Sequence, residues 1–274
     1  MKKVIVITGA SDGIGAEMAR QLAAQHGSDV ALVLAARNEE KLGQVAEAVG
    51  KAGAEATIIP TDVTDRDACS NLIDKTIDAH TQLDILVQNA GMSAHANFAD
   101  ISEEDLAWYQ DLMTLNFWST VWLTKDALPH LIKSKGQIVA VSSVAGLVGV
   151  PGRSAYCATK WAMGGFFDSL RPELAHQDVA VTIAHPGVVA TAIRERGYAA
   201  GGEPLGRSGI REDKVMSVEE CASRIIKGME TRKREIIMTR QTHLGRWLKL
   251  LAPSLIDKIA MNEVKPEFRP DQPR

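Results

Sequence analysis

The chain has 274 residues, a formal net charge of −3, 24% charged residues and 45% hydrophobic ones. This ordinary globular balance excludes a general electrostatic case for a nucleic-acid partner and marks no low-complexity tract. The three cysteines, Cys69, Cys157 and Cys221, stand far apart; they form no metal pattern and no even disulfide framework, which suits a reducing, cytoplasmic setting.

The N-terminus reads MKKVIVITGASDGIG, with an apolar run only from Val4 to Ile7. That run is too short for a signal-peptide core or a membrane span and reads as a buried strand. A turn spaced G-x-x-x-G-x-G follows, from Gly9 to Gly15, and then Ala16, Met18, Ala19, Leu22 and Ala23 recur as in a helix. Glycines at a strand-to-helix turn let the backbone approach a pyrophosphate, and the helix N-terminus offers free N–H groups. Taken alone, such a turn serves equally well as mere turn chemistry.

A second strand is predicted over 30–37, ending in Ala35-Ala36-Arg37-Asn38. An acid there would hold the ribose hydroxyls of NAD, whereas an arginine suits the 2′-phosphate of NADP. Arg37 can meet a phosphate bidentately, and no carboxylate occurs before Glu39. The turn therefore favours NADP(H) over NAD(H), with Asp12 placing an opposing negative charge in the phosphate turn. The plain alternative is a surface arginine.

Leu42, Val45, Ala46 and Val49 predict the next helix. Five further strands are predicted at 56–63, 84–91, 137–143, 179–187 and 235–239. They are nearly continuous in apolar residues, as expected when helices cover both faces of a parallel sheet. The expected fold is α/β, a Rossmann-like doubly wound parallel sheet of about seven strands. With no break in composition, residues 1–240 read as one catalytic domain, including a Gly- and charge-rich loop at 191–216. Residues 241–274 read as an amphipathic helical tail with a frayed, proline-rich end.

In the tail, Leu244, Trp247, Leu248 and Leu251 recur at helical spacing until Pro253 interrupts, and Ser254 with Asp257 forms a capping box that restarts a helix. Three roles fit this tail: packing on the chain's own substrate opening, covering a partner subunit, or lying peripherally on a membrane surface.

The segment SAYCATK, 154–160, puts Tyr156 and Lys160 one helical turn apart on the same face. They read either as surface decoration or as a proton donor with the charge that tunes it. The motifs TGASDGIG (8–15), Asp62-Val63, NAG (89–91), Asn116, Ser143, YCATK (156–160) and PGVVAT (186–191) settle the choice as an ordered set. In that order, over roughly residues 3–240, the chain resembles the short-chain dehydrogenase/reductase family. Gln88 departs from the asparagine that the family often carries there.

The resemblance implies a catalytic set of Asn116, Ser143, Tyr156 and Lys160. Tyr156 would exchange a proton with the substrate oxygen, Ser143 would hydrogen-bond that oxygen, and Asn116 would hold a water relaying protons to Lys160. A free phenol has a pKa of about 10, so the ammonium of Lys160 is expected to lower it. The resemblance also implies dinucleotide contacts from Gly9, Ser11, Gly13, Ile14, Gly15, Arg37, Asp62, Val63, Asn89, Ala90, Gly91, Tyr156, Lys160, Pro186, Gly187, Val189 and Thr191. No metal is implied, and none of the seven histidines shows ligand spacing.

The substrate pocket is expected from 93–97, 144–153 and the 191–216 loop acting as a lid. The apolar VAGLVGVPG favours a hydrophobic carbonyl or secondary alcohol over a sugar phosphate. Arg194, Arg196, Arg207 and Arg211 either bind an acidic group or simply solvate the lid. The resemblance further implies a homodimer or homotetramer through the helices carrying LNFWSTVWL and WAMGGFF. The expected activity is NADP(H)-dependent oxidoreduction. The alternatives are a non-catalytic redox sensor and a sugar-nucleotide epimerase or dehydratase.

Overall fold

The computed structural model describes residues 2–206 and 215–264; Arg207, Arg211 and the proline-rich end lie outside them. Seven strands form one parallel sheet in the order β3-β2-β1-β4-β5-β6-β7. They are β1 (Lys3–Thr8), β2 (Val30–Ala36), β3 (Glu55–Pro60), β4 (Ile85–Gln88), β5 (Gln137–Val141), β6 (Ala180–His185) and β7 (Glu235–Ile237). The expected strands are all present but stop short of their polar ends. At Asp62, for example, the carboxylate accepts hydrogen bonds from the Thr64 N–H and hydroxyl, which turns the chain out of the ladder.

Side chains alternate across each strand, and both faces are apolar. Ile5, Ile7, Leu32 and Leu34 pack on one side with residues of α1 (Gly13–His26), α2 (Glu39–Lys51) and α7 (Val218–Glu230). Val4, Val6, Ala31 and Val33 pack on the other with α3 (Arg66–His80), α5 (Ser119–Ser134) and α6 (Ser154–Leu174). Double burial is why these strands read as unbroken apolar runs. Asp12, Asn38, Asp65 and Ser217 cap α1, α2, α3 and α7 by accepting from backbone N–H groups of the first turn. Leu42, Val45 and Val49 are buried as the spacing predicts.

Sequential order reverses between β1 and β4, which opens a crevice beyond the C-terminal ends of these two strands. Helix α4 (Leu106–Met113) runs into α5 through a single π turn, Thr114–Trp118. Such one-turn bulges cluster at functional sites because they re-aim a side chain and loosen the carbonyl ladder.

Two helices close the described chain, α8 (Arg240–Leu251) and α9 (Pro253–Val264). The capping-box expectation is corrected: α9 begins at Pro253, where a missing N–H costs nothing, and Ser254 lies inside its first turn. The orientation of α8 also differs from the apolar reading. Its buried side is Thr242 and Gly245, and Gly245 lets the helix close on Val148 and Ile256. Arg246 pairs with Glu235 at 2.6 Å, and Lys249 sits 3.4 Å from the Trp161 ring centroid. Leu244, Trp247 and Leu251 consequently face outward, Leu251 being 81% exposed. Among the described residues, no helix is long and apolar enough to cross a membrane.

A Cβ on Gly15 would fall 2.5 Å from both the Gly9 carbonyl oxygen and Asn89 Nδ2, whereas one on Gly43, inside α2, would meet nothing within 4 Å. Denaturant unfolding should show Gly15→Ala losing ~1–3 kcal/mol to overpacking. Gly43→Ala should gain ~0.5–1 kcal/mol from helix propensity. Equal behaviour of the two variants would contradict the close approach of α1 to the turn.

Candidate active site

Thr8, at the end of β1, ties the crevice together. Its hydroxyl donates to the Val87 carbonyl and accepts from the N–H groups of Asn89 (3.0 Å) and Ala90 (3.1 Å). Asn89 Nδ2 donates back to the carbonyls of Thr8 and Gly9. The turn between β1 and α1 is thereby pinned to the segment after β4. Gly9 (φ +66°) and Gly13 (φ +54°) both need the left-handed region, which only glycine enters freely.

A cavity of about 660 Å³ lies above this turn, within the usual range for small-molecule sites. Gly9, Ser11, Gly13, Ile14, Arg37, Asp62, Val63, Asn89, Ala90, Gly91 and Thr191 line it as expected. Six expected contacts, Gly15, Tyr156, Lys160, Pro186, Gly187 and Val189, are not among its lining residues. Gly15 lies beneath the turn as a packing residue. The Pro186 carbonyl accepts from Val144 N–H, Gly187 stands near Thr239, and buried Val189 bridges to Met216. Thr191 crosses over the turn, its methyl 3.2 Å from where a Cβ on Gly13 would stand.

Lys41 and Arg196 also line the cavity, and sequence reasoning missed Lys41 altogether. Both meet Asp12, Arg196 at 2.5 Å and Lys41 at 3.6 Å. Burial pushes the Asp12 carboxyl up, but the Gly13 N–H and these two cations together hold it below the usual range. The opposing charge expected from Asp12 is thus neutralised, and the rim carries Arg37 and Lys41 beside Asn38.

None of the four expected catalytic residues lines this cavity, but Asn116 and Lys160 approach its lining residue Gly91. Ser143 follows β5, and its Oγ accepts from the Ala145 N–H and stands near enough to the Tyr156 hydroxyl to favour its charged form. Tyr156 stands in the first turn of α6, and one turn on the Lys160 ammonium donates to the Val141 carbonyl at 3.0 Å. Asn116 sits fully buried in the π turn. Its Oδ1 accepts from Met92 N–H, and its Nδ2 donates to the Met92 carbonyl (2.9 Å) and to Thr159 Oγ1 (3.0 Å). Gly91 lies between: a Cβ there would come within 2.9 Å of Asn116 Oδ1 and 3.7 Å of Lys160 Nζ.

The electrostatics correct one expectation. Burial raises the Tyr156 phenol above its ordinary value, outweighing the Ser143 hydrogen bond and the charges of Arg153 and Arg194. Lys160 does not supply the expected lowering. Its ammonium turns toward Val141, 5.9 Å from the phenol ring centroid, and burial lowers its own pKa to about 8. Desolvation disfavours both charged forms, so it works against the pairing that exposed groups would show.

One wall beside Tyr156 is apolar, built from Met92, Ala94, Trp108, Leu112, Val150, Ala155 and Tyr198. The three expected substrate segments meet in it. Ser93 O accepts from Tyr198 N–H, His95 N–H donates to Tyr198 O, and Ala96 N–H donates to Gly152 O. Trp108, unnoticed in the sequence, stacks on Tyr198 at 5.3 Å. Its indole N–H donates to Asp105, which also accepts from Gly201 N–H. The lid arginines do not simply solvate their loop: Arg194 is buried and donates to the Val189 carbonyl, while Arg196 straps the loop to Asp12. Among the described residues, no cluster of side chains could hold a metal ion.

A family model described as short chain dehydrogenase matches residues 3–200. An Arabidopsis thaliana protein called 11-beta-hydroxysteroid dehydrogenase-like 2 is 35% identical, over 98% of this chain and 85% of its own. A Dictyostelium discoideum dehydrogenase/reductase SDR family protein 7-like is 34% identical, over 96% and 83%. Among solved structures, an alcohol dehydrogenase of the archaeon Thermococcus sibiricus, complexed with 5-hydroxy-NADP, superposes with a TM-score of 0.72. It is 25% identical and covers 87% of this chain and 96% of its own.

The buried ammonium has a stability consequence. Below about pH 8 Lys160 is protonated in both folded and unfolded chains, so the full cost of burying its charge is present. Between about 8 and the unfolded value of 10.5 only the unfolded chain holds the proton, so wild-type stability climbs with pH. Lys160→Met should therefore be the more stable protein at pH 7, by ~1–3 kcal/mol, with the gap closing toward pH 10. Thermal unfolding across that range checks the sign.

Proposed function

The chain belongs to the short-chain dehydrogenase family, and on that premise we propose that it is an NADP(H)-dependent oxidoreductase acting on a hydrophobic carbonyl or secondary alcohol. The carrying observation is that Ser143, Tyr156 and Lys160 gather beside an apolar wall, with Lys160 approaching Gly91 of the glycine-lined cavity. A dinucleotide fits the residues present. Gly9 and Gly13 open the turn, a Cβ on Gly9 would fall 2.8 Å from Asn89, and the capped start of α1 directs N–H groups at the cavity. Asp62 and Val63 would flank adenine, Asn89 to Gly91 the adjoining ribose, and Arg37 with Lys41 a 2′-phosphate. When bound, the dinucleotide supplies or takes the hydride.

The chain's own residues do the rest. Tyr156, held neutral by burial, keeps its proton for a substrate carbonyl oxygen in reduction. Ser143 Oγ, fixed beside that hydroxyl, hydrogen-bonds the same oxygen as negative charge develops on it. Lys160 brings a positive charge into the low-dielectric niche behind the phenol. The Asn116 amide is committed to Met92 and Thr159, so its part is to fix Gly91 and Met92 against Lys160, and a relay water would be held by backbone rather than by that amide. The aromatic lid contact of Tyr198 on Trp108 excludes water and favours a rigid apolar substrate of steroid-like size. Outward-facing Trp118 on the α5 side supports the expected homodimer or homotetramer contact.

A panel of apolar ketones and alcohols with NADPH, NADH and their oxidised forms tests the reading. Tyr156→Phe should reduce kcat by about 10³-fold while leaving NADPH affinity within about twofold. Retained turnover in that variant would remove Tyr156 from the chemistry. Separately, Arg37→Ala should shift the NADPH/NADH preference in kcat/KM toward NADH by about tenfold or more. An unchanged ratio would assign the phosphate to other cations.

A further inference from the structure

His185, the last residue of β6, is buried beside the site and takes no part in the chemistry above. Its Nδ1 lies 3.2 Å from the Ser143 carbonyl oxygen. A carbonyl only accepts, so the ring donates there, which assigns the Nδ1–H tautomer. The contact falls where Ser143 leaves the sheet. Ser142 N–H donates to Ala184 O and Val144 N–H to Pro186 O, each at 2.8 Å, and the imidazole spans the gap between these two rungs. The Ser143 carbonyl also accepts from Gly146 N–H, closing the short turn that Ser143 Oγ caps. The bond from His185 is thus a side-chain rung at the position that aims Ser143 Oγ at Tyr156.

The ring's other nitrogen has an uncommon setting. Among the described residues, Nε2 has no hydrogen-bond partner; it faces Glu235 Oε1 of β7 at 3.9 Å, beyond hydrogen-bond reach. The other oxygen of Glu235 is held by Arg246 at 2.6 Å, reaching in from α8. Asp168 on α6 is a more distant carboxylate on the same side. Burial lowers the His185 pKa, and the Arg246 charge works in the same direction, against the Ser143 hydrogen bond and the pull of Glu235 and Asp168. A neutral ring with its proton on Nδ1 follows, and the contact chain from α8 ends at Glu235, 3.9 Å short of the ring.

We propose that His185 is a positioning residue for Ser143: its Nδ1–H fixes the Ser143 carbonyl, and Arg246 of α8, by pairing with Glu235 of β7, keeps the ring neutral. The kinetic side of this inference rests on the oxidoreductase reading above; the hydrogen bond itself does not.

Two variants of the full chain separate aiming from filling. Asn places its amide Nδ2 near where the ring carries Nδ1 and keeps the donor, whereas Leu keeps bulk and loses it. His185→Leu should lower kcat by about tenfold with KM and NADPH affinity within about twofold, and His185→Asn should recover most of the loss. Full activity in His185→Leu, or equal loss in both variants, would overturn the proposal. Nitrogen NMR of the wild-type imidazoles reads the bond without turnover. The His185 ring should be a single neutral Nδ1–H tautomer at pH 7, its ring proton protected from exchange, and Arg246→Met should shift the population toward the charged ring. An Nε2–H tautomer or a freely exchanging Nδ1 proton would overturn the inference whatever the substrate panel gives. Wild-type inactivity across the panel, with the protected Nδ1–H observed, would count against the oxidoreductase reading while leaving the His185–Ser143 bond standing.

Discussion

A lysine ammonium held out of water is the constraint on which this site depends. Lys160 is buried, its one described hydrogen bond runs to the Val141 carbonyl, and its pKa falls to about 8. An isolated buried cation is among the most costly groups a fold can carry, so the surroundings must justify it. They do so by bringing a strand-end carbonyl, a π turn and a left-handed glycine turn to one place at the C-terminal edge of a parallel sheet. The fold places this group one helical turn from Tyr156 and accepts the loss of stability that goes with it.

The π turn completes that arrangement. Asn116 faces inward because the helix gains a residue at Thr114–Trp118, and its amide then grips both polar groups of Met92 and the hydroxyl of Thr159. Thr159 in turn donates to the Tyr156 carbonyl. One amide thereby joins the segment after β4, the helix pair of α4 and α5, and helix α6, which carries Tyr156 and Lys160. Gly91 must be glycine in this setting, since any Cβ would press on Asn116 Oδ1. The lid is held by a similar economy of contacts: Arg196 on Asp12 at one end, Tyr198 on Trp108 and Asp105 on Gly201 at the other.

The charges of the molecule are arranged in opposed pairs rather than as free fields. Asp12, which alone would repel a phosphate, is drawn off by Arg196 and Lys41, leaving Arg37 among the lining residues to face one. Glu235, whose charge favours a protonated His185, is drawn off by Arg246. In each case a cation from a later segment of the chain sets the state of a group near the site, and neither pairing has a local sequence signature.

Periodicity and turn chemistry were enough for the sheet. Seven apolar runs became seven parallel strands because burial on both faces needs unbroken apolar residues, a property each strand carries by itself. The ordered motifs likewise located Asn116, Ser143, Tyr156 and Lys160, since local backbone geometry ties each to a strand end or a helix face. What the sequence could not decide were quantities set by distant neighbours. The direction of the Tyr156 shift depended on desolvation against a nearby charge, and solvent exclusion exists only once the chain is packed. The outward face of Leu244, Trp247 and Leu251 depended on where Gly245, Arg246 and Lys249 found partners. Lys41, Trp108, His185 and the π turn stayed unread for the same reason: their meaning lies in contacts between segments far apart in the chain, which only the tertiary fold brings together.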